Sequence, residues 1–142
     1  TPTIPMLLSF AWVLKSRTGF AASIRRFLEH VLRPLFAHWT ILELAVISVL
    51  AGVCEEVLFR GALQGGMAPL VGKPAALSIA SIAFGLAHPI SKHYVLAAMI
   101  IGFYLGGLYI LCGNLLAPIV THAVYDFCAL TWFLRFHKSD PR

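Results

Sequence analysis

Glu55 and Glu56 stand side by side in Ala51-Gly52-Val53-Cys54-Glu55-Glu56-Val57-Leu58-Phe59-Arg60, one of the most apolar stretches of the chain. A carboxylate carried into hydrocarbon costs several kcal/mol unless it is paired, protonated or facing a polar cavity, so intramembrane acids are functional candidates by default. Arg60 follows Glu56 by four residues, on the same helical face, where an ion pair neutralises that carboxylate. Glu55, rotated by ~100° on a helix, is then the free acid. His88 ends another apolar run, and His122 and Asp126, four apart, project from one face of a third. A carboxylate and imidazoles that meet in a low-dielectric cavity polarise a water, or bind a divalent metal that does so.

The elements that must bring these residues together are apolar helices. The 142 residues are 59% hydrophobic and 12% charged, with mean hydropathy +0.84, whereas soluble domains are nearer ~25% charged. A water-soluble core of this size cannot hide so much apolar surface, so lipid is the natural solvent. The length allows about four to five spanning helices of ~20 apolar residues. The apolar runs are continuous rather than alternating, and strands cannot span lipid without closing a barrel. The expected fold is therefore an all-α polytopic transmembrane bundle, with a core of about four helices enclosing a polar cavity. Thr1 is not an initiating Met, and the sequence reads as a piece of a longer chain.

Residues 1–14, with Pro2 and Pro5, read as the tail of a preceding membrane helix. From Lys15 to His38, cations mix with Phe20, Ile24, Phe27, Leu28 and Val31 on one face, as in an interfacial helix lying on the membrane surface and ended by Pro34. The first core helix runs from about Trp39 into the Gly65-Gly66 region. Gly72-Lys73-Pro74 is a turn, and a second helix from about Ala75 to His88 stops at Pro89. A third covers about Tyr94 to Cys112, with Gly102, Gly106 and Gly107 as a face for close helix contact. Gly113-Asn114 breaks it, and a fourth reaches about Phe133, with Pro118 early enough to be tolerated. The chain divides into a preceding apolar and basic segment (1–38), a core (39–134) and a basic tail (135–142).

Glu55 precedes Gly72 by 17 residues and His88 follows it by 16. In an antiparallel hairpin both lie ~25 Å from the turn, at matching height. His122 fits less simply: straight, equal helices put it ~15 Å from His88 in height. Tilt, a re-entrant helix end at Pro89, or shifted boundaries would each close that gap.

The formal charge of +5 is carried by cations that flank apolar segments, without a motif that reads nucleic acid, so anionic lipid head groups are the expected contact. With the N-terminal end cytoplasmic, nine of the eleven basic residues fall on that side, leaving Lys73 opposite and Arg60 within the membrane. Cys54, Cys112 and Cys128 lack CxxC spacing and read as small core residues. Glu43 reads as a first-turn acid, and Trp39 and Trp132 as interface anchors.

Three motifs then stand in order: EEVLFR at Glu55–Arg60 (EExxxR), FGLAH at Phe84–His88 (FxxxH) and HAVYD at His122–Asp126 (HxxxN/D). Together, over about residues 40–134, they resemble the CPBP family of intramembrane proteases, also called Abi or CAAX-protease-like. That family includes CAAX prenyl endopeptidases and bacterial bacteriocin-processing or self-immunity proteins. The resemblance implies an intramembrane endopeptidase in which Glu55 and His88 activate the attacking water. His122 and Asp126 would stabilise the oxyanion or complete a metal site, and Glu56 and Arg60 would support the helix face. In a metal-dependent version, zinc or another divalent ion would be held by Glu55, His88 and His122. Asp126 departs from members with Asn, because Asp donates a hydrogen bond only when protonated. The implied partners are membrane lipids and a peptide or protein substrate, lipidated or not. Two other classes fit the same acids: a non-catalytic membrane immunity protein and a proton-coupled transporter.

Overall fold

A computed structural model describes residues 1–137, so Lys138, Asp140 and Arg142 of the basic tail lie outside the described residues. The described residues are helical throughout, joined by short turns, with no strand.

The chain opens with α1 (Thr3–Lys15) and α2 (Gly19–Phe27), whose first turn is capped by the Thr18 hydroxyl, accepting from Ala21 N at 3.3 Å. Arg25 clasps the two helices: its Nη1 donates to the carbonyl of Val13 at 2.7 Å and to that of Ser16. These are end carbonyls of α1 that lack helical partners, so a cation placed there satisfies them. Pro34 does not end the next helix as expected. A π-helical segment, Leu28–Leu32, runs directly into α3 (Arg33–Phe36). Arg33 N–H reaches back five residues to Leu28 O, and this wider turn relieves the conflict that a proline brings to a regular helix. The extra residue also shifts the face. Val31, expected on the same apolar face as Ile24 and Leu28, is exposed, and Leu32 packs beside those residues in its place.

The apolar face of α2 differs from the sequence expectation in a second way. It does not lie on lipid. Ala21, Ile24 and Leu28 form a core with Phe10 and Val13 of α1 and with Ala129 and Phe133 of the last helix. Amphipathic periodicity announces a buried face without saying whether protein or acyl chains cover it.

α4 (Ile41–Glu56) begins with a capping box, in which Thr40 and Glu43 satisfy each other's backbone N–H groups, so Glu43 is the first-turn acid expected. A π-helical segment follows immediately, Val57–Gly65, and then α5 (Gly66–Val71). The helical path thus passes through Gly65-Gly66, where an end was expected. Both glycines keep helical angles, and a Cβ on Gly65 would lie 3.0 Å from Tyr109 Oη. Smallness there serves contact rather than termination. Gly72 ends the path at φ +85°, a conformation that costs glycine little.

α6 (Lys73–Leu86) carries Pro74 in its first turn. α7 (Lys92–Cys112) is capped by Ser91 and closed by Gly113 in the left-handed region. α8 (Leu116–Arg135) has Pro118 in its first turn. Among the described residues, α7 and α8 are each, as a single α-helix, long and apolar enough to cross a membrane. The outward side of α4 exposes Leu42, Val46, Val49, Leu50 and Val53, an apolar face of the kind that marks a membrane or protein contact.

Packing is pairwise. α6 lies along α7, and α4 lies along α8. In the first seam a Cβ on Gly102 would meet Ser81 Cα at 3.2 Å, and one on Gly106 would meet Leu77 Cδ1 at 2.4 Å. Gly107 faces open space and takes no part. In the second seam a Cβ on Gly52 would lie 3.0 Å from both Ala123 N and Ile119 O. The cysteines are not core residues: Cys54 and Cys112 are exposed and Cys128 is partly so. Cys54 is exposed like its neighbour Val53, on the apolar outer side of α4.

Candidate active site

The end of α4 sends its two adjacent carboxylates in different directions. Glu56 is fully buried and Arg60 is 1% exposed. Arg60 Nη1 donates to Glu56 Oε1 at 3.0 Å, and its Nη2 donates to Gly102 O at 3.0 Å. Its guanidinium also lies 4.5 Å from the centre of the Phe84 ring. The i,i+4 pair read from sequence therefore ties α4 to α6 and α7 as well. Gly102 does two things here, admitting Ser81 by its lack of a side chain and holding Arg60 by its carbonyl.

Glu56 Oε1 also accepts from His122 Nδ1 at 2.8 Å. A carboxylate paired with arginine is an acceptor, so Nδ1 carries the hydrogen and Nε2 is turned towards Glu55 and Asp126. His88 is fixed in the same sense. Its Nδ1 lies 2.7 Å from Phe84 O, and a carbonyl only accepts, so Nδ1–H is the donor and Nε2 is free. Both rings are thus oriented by their Nδ1, the first by a carboxylate and the second by the helix backbone.

Their Nε2 atoms converge on one oxygen. Glu55 Oε2 lies 3.7 Å from His88 Nε2 and 4.0 Å from His122 Nε2, and it is buried without a hydrogen-bond partner. Asp126 Oδ2 stands 3.5 Å from His122 Nε2. The height mismatch anticipated between His88 and His122 does not materialise. That estimate took straight helices of equal length, whereas α6 has 14 residues, α7 has 21 and α8 has 20. Phe84 fills the space between the two histidines, with its ring centre 4.8 Å from that of His88 and 6.1 Å from that of His122.

The donor types suit a divalent metal, since each imidazole has its second nitrogen engaged as metal-bound histidines do. Ligands on a tetrahedral zinc with bonds of about 2.0–2.1 Å stand ~3.3 Å apart, whereas two groups bridged by one water stand ~4.4 Å apart. The 3.7 and 4.0 Å separations fall between these values. Among the described residues no group of three His, Cys, Asp or Glu is close enough together to hold a metal ion as placed.

Glu55, His88, His122 and Asp126 line a cavity of about 340 Å³ whose other walls are mostly apolar. Several of those walls went unread in the sequence. Tyr94 and Tyr125 flank the polar groups, while Trp12, Val13, Ile24 and Leu28 come from the N-terminal helices. Tyr94 stands in the first turn of α7, and its ring lies 6.3 Å from that of His88 across the α6–α7 turn. An aromatic residue in the turn after a candidate histidine is the signal that was available.

No curated protein and no solved structure matches the chain. The family profile described as Rce1-like, type II CAAX prenyl endopeptidase, matches residues 37–128, well over half of the 142. That span contains EEVLFR, FGLAH and HAVYD, the residues whose geometry is described above, and it belongs to a family of proteases integral to the membrane. The chain therefore belongs to the Rce1-like family of type II CAAX prenyl endopeptidases.

Proposed function

We propose that the protein is an intramembrane endopeptidase that cleaves a peptide bond in a membrane-associated peptide or protein, using one water held between Glu55, His88 and His122. The observation that carries this reading is the buried, unpartnered Glu55 Oε2 within one-water reach of two imidazole Nε2 atoms. An orphaned acceptor so placed is costly unless a small polar guest occupies the gap.

Glu55 takes a proton from that water as the water oxygen attacks the scissile carbonyl, and His88 Nε2 orients the water. The carbonyl oxygen becomes an oxyanion. His122, flanked by the Glu56 and Asp126 carboxylates, donates to it from Nε2 as an imidazolium. Collapse breaks the C–N bond, and the proton on Glu55 passes to the leaving amine. A positioned general base of this kind contributes about 10²–10⁴-fold to the rate. Glu56 and Arg60 act through His122 by holding its ring. A divalent ion such as zinc in the same gap would acidify the same water, with Glu55, His88 and His122 as its ligands; no step above depends on it.

The membrane core in this reading is α4 with its helical continuation, α6, α7 and α8, crossing the bilayer around the cavity with the N-terminal end cytoplasmic. The family description points to a lipidated cysteine peptide as substrate. The test is cleavage of a peptide library, unmodified and isoprenoid-bearing, by the full chain and by Glu55→Gln in lipid nanodiscs. Cleavage abolished in a variant that stays folded supports the reading, and equal cleavage by both forms sinks it. Chelation followed by zinc add-back decides whether water alone or a metal-bound water fills the gap.

A further inference from the structure

The family match begins at residue 37, yet one wall of the cavity comes from residues before it. Val13 of α1 and Ile24 and Leu28 at the α2 face line the same space as Glu55, His88 and His122. All three are also core residues of the joint between the N-terminal hairpin and α8. We propose that this hairpin is the specificity wall of the active site. In this role Ile24, with Val13 and Leu28 beside it, sets the length of the apolar chain that a substrate can seat next to Glu55. The inference rests on the hydrolytic reading of the site.

Three features favour a fixed wall over a loose cover. Arg25 clasps α1 to α2 through the carbonyls of Val13 and Ser16. The hairpin is pinned to the start of α7 by Ser23 and Ser91, whose hydroxyls are 3.3 Å apart, and by the Phe27 ring 5.0 Å from that of Tyr94. Arg33, beyond the π-helical segment, donates to Phe133 O at 3.2 Å and to His137 O at 2.9 Å. A wall held at both ends discriminates by shape, because it cannot relax to admit extra length. The occupant is argued from continuity. The apolar walls and the reactive carboxylate share one cavity of about 340 Å³, within the size range of small-molecule pockets, so a substrate whose carbonyl reaches Glu55 has its apolar group against these residues.

The experiment uses the full chain in nanodiscs and peptides that differ only in a thioether-linked geranyl or geranylgeranyl group. Ile24→Trp, which shortens the chamber, is expected to lower the geranylgeranyl-to-geranyl ratio of kcat/KM by about tenfold or more, the scale at which pockets discriminate methylenes. Ile24→Ala is expected to move the ratio the other way. An unchanged ratio, or equal loss on both peptides, overturns the proposal. A diazirine-bearing geranylgeranyl cysteine peptide gives an independent readout by mapped crosslinks. Adducts within residues 9–28 support the wall, and adducts confined to other segments overturn it. Adducts in 9–28 without Glu55-dependent cleavage sink the hydrolytic reading while keeping the binding wall. Cleavage with adducts elsewhere sinks the wall alone.

Discussion

Two regions built from neighbouring residues illustrate opposite uses of a buried charge. Around Glu56, one carboxylate oxygen is shared by Arg60 and His122, and Arg60 is anchored on Gly102 O, all beyond the reach of solvent. Around Glu55, one residue earlier, the carboxylate faces a cavity and two imidazoles, and its Oε2 has no partner. The first arrangement is rigid because each charge has a counterpart. The second is open because its carboxylate lines a cavity with His88 and His122; an unpartnered oxygen alone does not separate the two, since Glu56 Oε2 is also buried without a hydrogen-bond partner. A helix turns by ~100° per residue, so a single step along α4 separates scaffold from chemistry. The scaffold in turn orients the chemistry, since Glu56 holds the ring whose other nitrogen faces Glu55.

The largest expected effect breaks the contrast on its reactive side. Glu55→Gln should lower the cleavage rate by about 10²–10⁴-fold and leave the melting temperature nearly unchanged, read by cleavage assay and thermal unfolding of the same sample. On the scaffold side the signs reverse. Arg60→Met should destabilise the fold by about 3–5 kcal/mol, because it leaves Glu56 buried without its cation. The double variant Glu56→Gln/Arg60→Met should recover part of that loss, and simple additivity in a double-mutant cycle would contradict the pairing.

Smaller effects sharpen the comparison along the helix seams. Gly52→Ala forces α4 away from backbone atoms of α8 and should cost about 1–3 kcal/mol, while also separating Glu55 from His122. Measured stability and rate should fall together. Asp126→Asn should change the rate by less than about tenfold, since Asn supplies a donor where Asp126 flanks His122. A larger loss in that assay would show that the carboxylate itself is needed to charge the ring. Gly107→Ala, facing open space, should alter stability by no more than about 1 kcal/mol, in the stabilising direction that helix propensity predicts.

Much of the site was legible in the sequence because its cues are local. Glu56 and Arg60 are one helical turn apart, His122 and Asp126 likewise, and the distance from Gly72 to Glu55 and to His88 matches across a hairpin. The turn at Gly72 and the helix end at Gly113 were legible for the same reason, since positive φ depends on the residue itself and its near neighbours. The misreadings share an opposite cause. Pro34 and Gly65-Gly66 look like breaks, but a π-helical turn absorbs the proline and contact with Tyr109 uses the glycine. The cysteines look like core, but two of them lie on the apolar outside, since composition alone does not separate a lipid-facing surface from an interior.

By itself, the order of residues determined the helical, lipid-compatible character of the chain and the pairs that lie one turn apart, since periodicity and hydropathy are properties of short segments. Only the tertiary structure decided that His122 joins His88 at Glu55, that Gly102 O anchors Arg60, and that the amphipathic α2 closes the cavity instead of resting on lipid. Those outcomes depend on which helices choose each other, α6 with α7 and α4 with α8. Close approach at Gly52, Gly102 and Gly106 makes that choice in three dimensions, where no spacing along the chain records it.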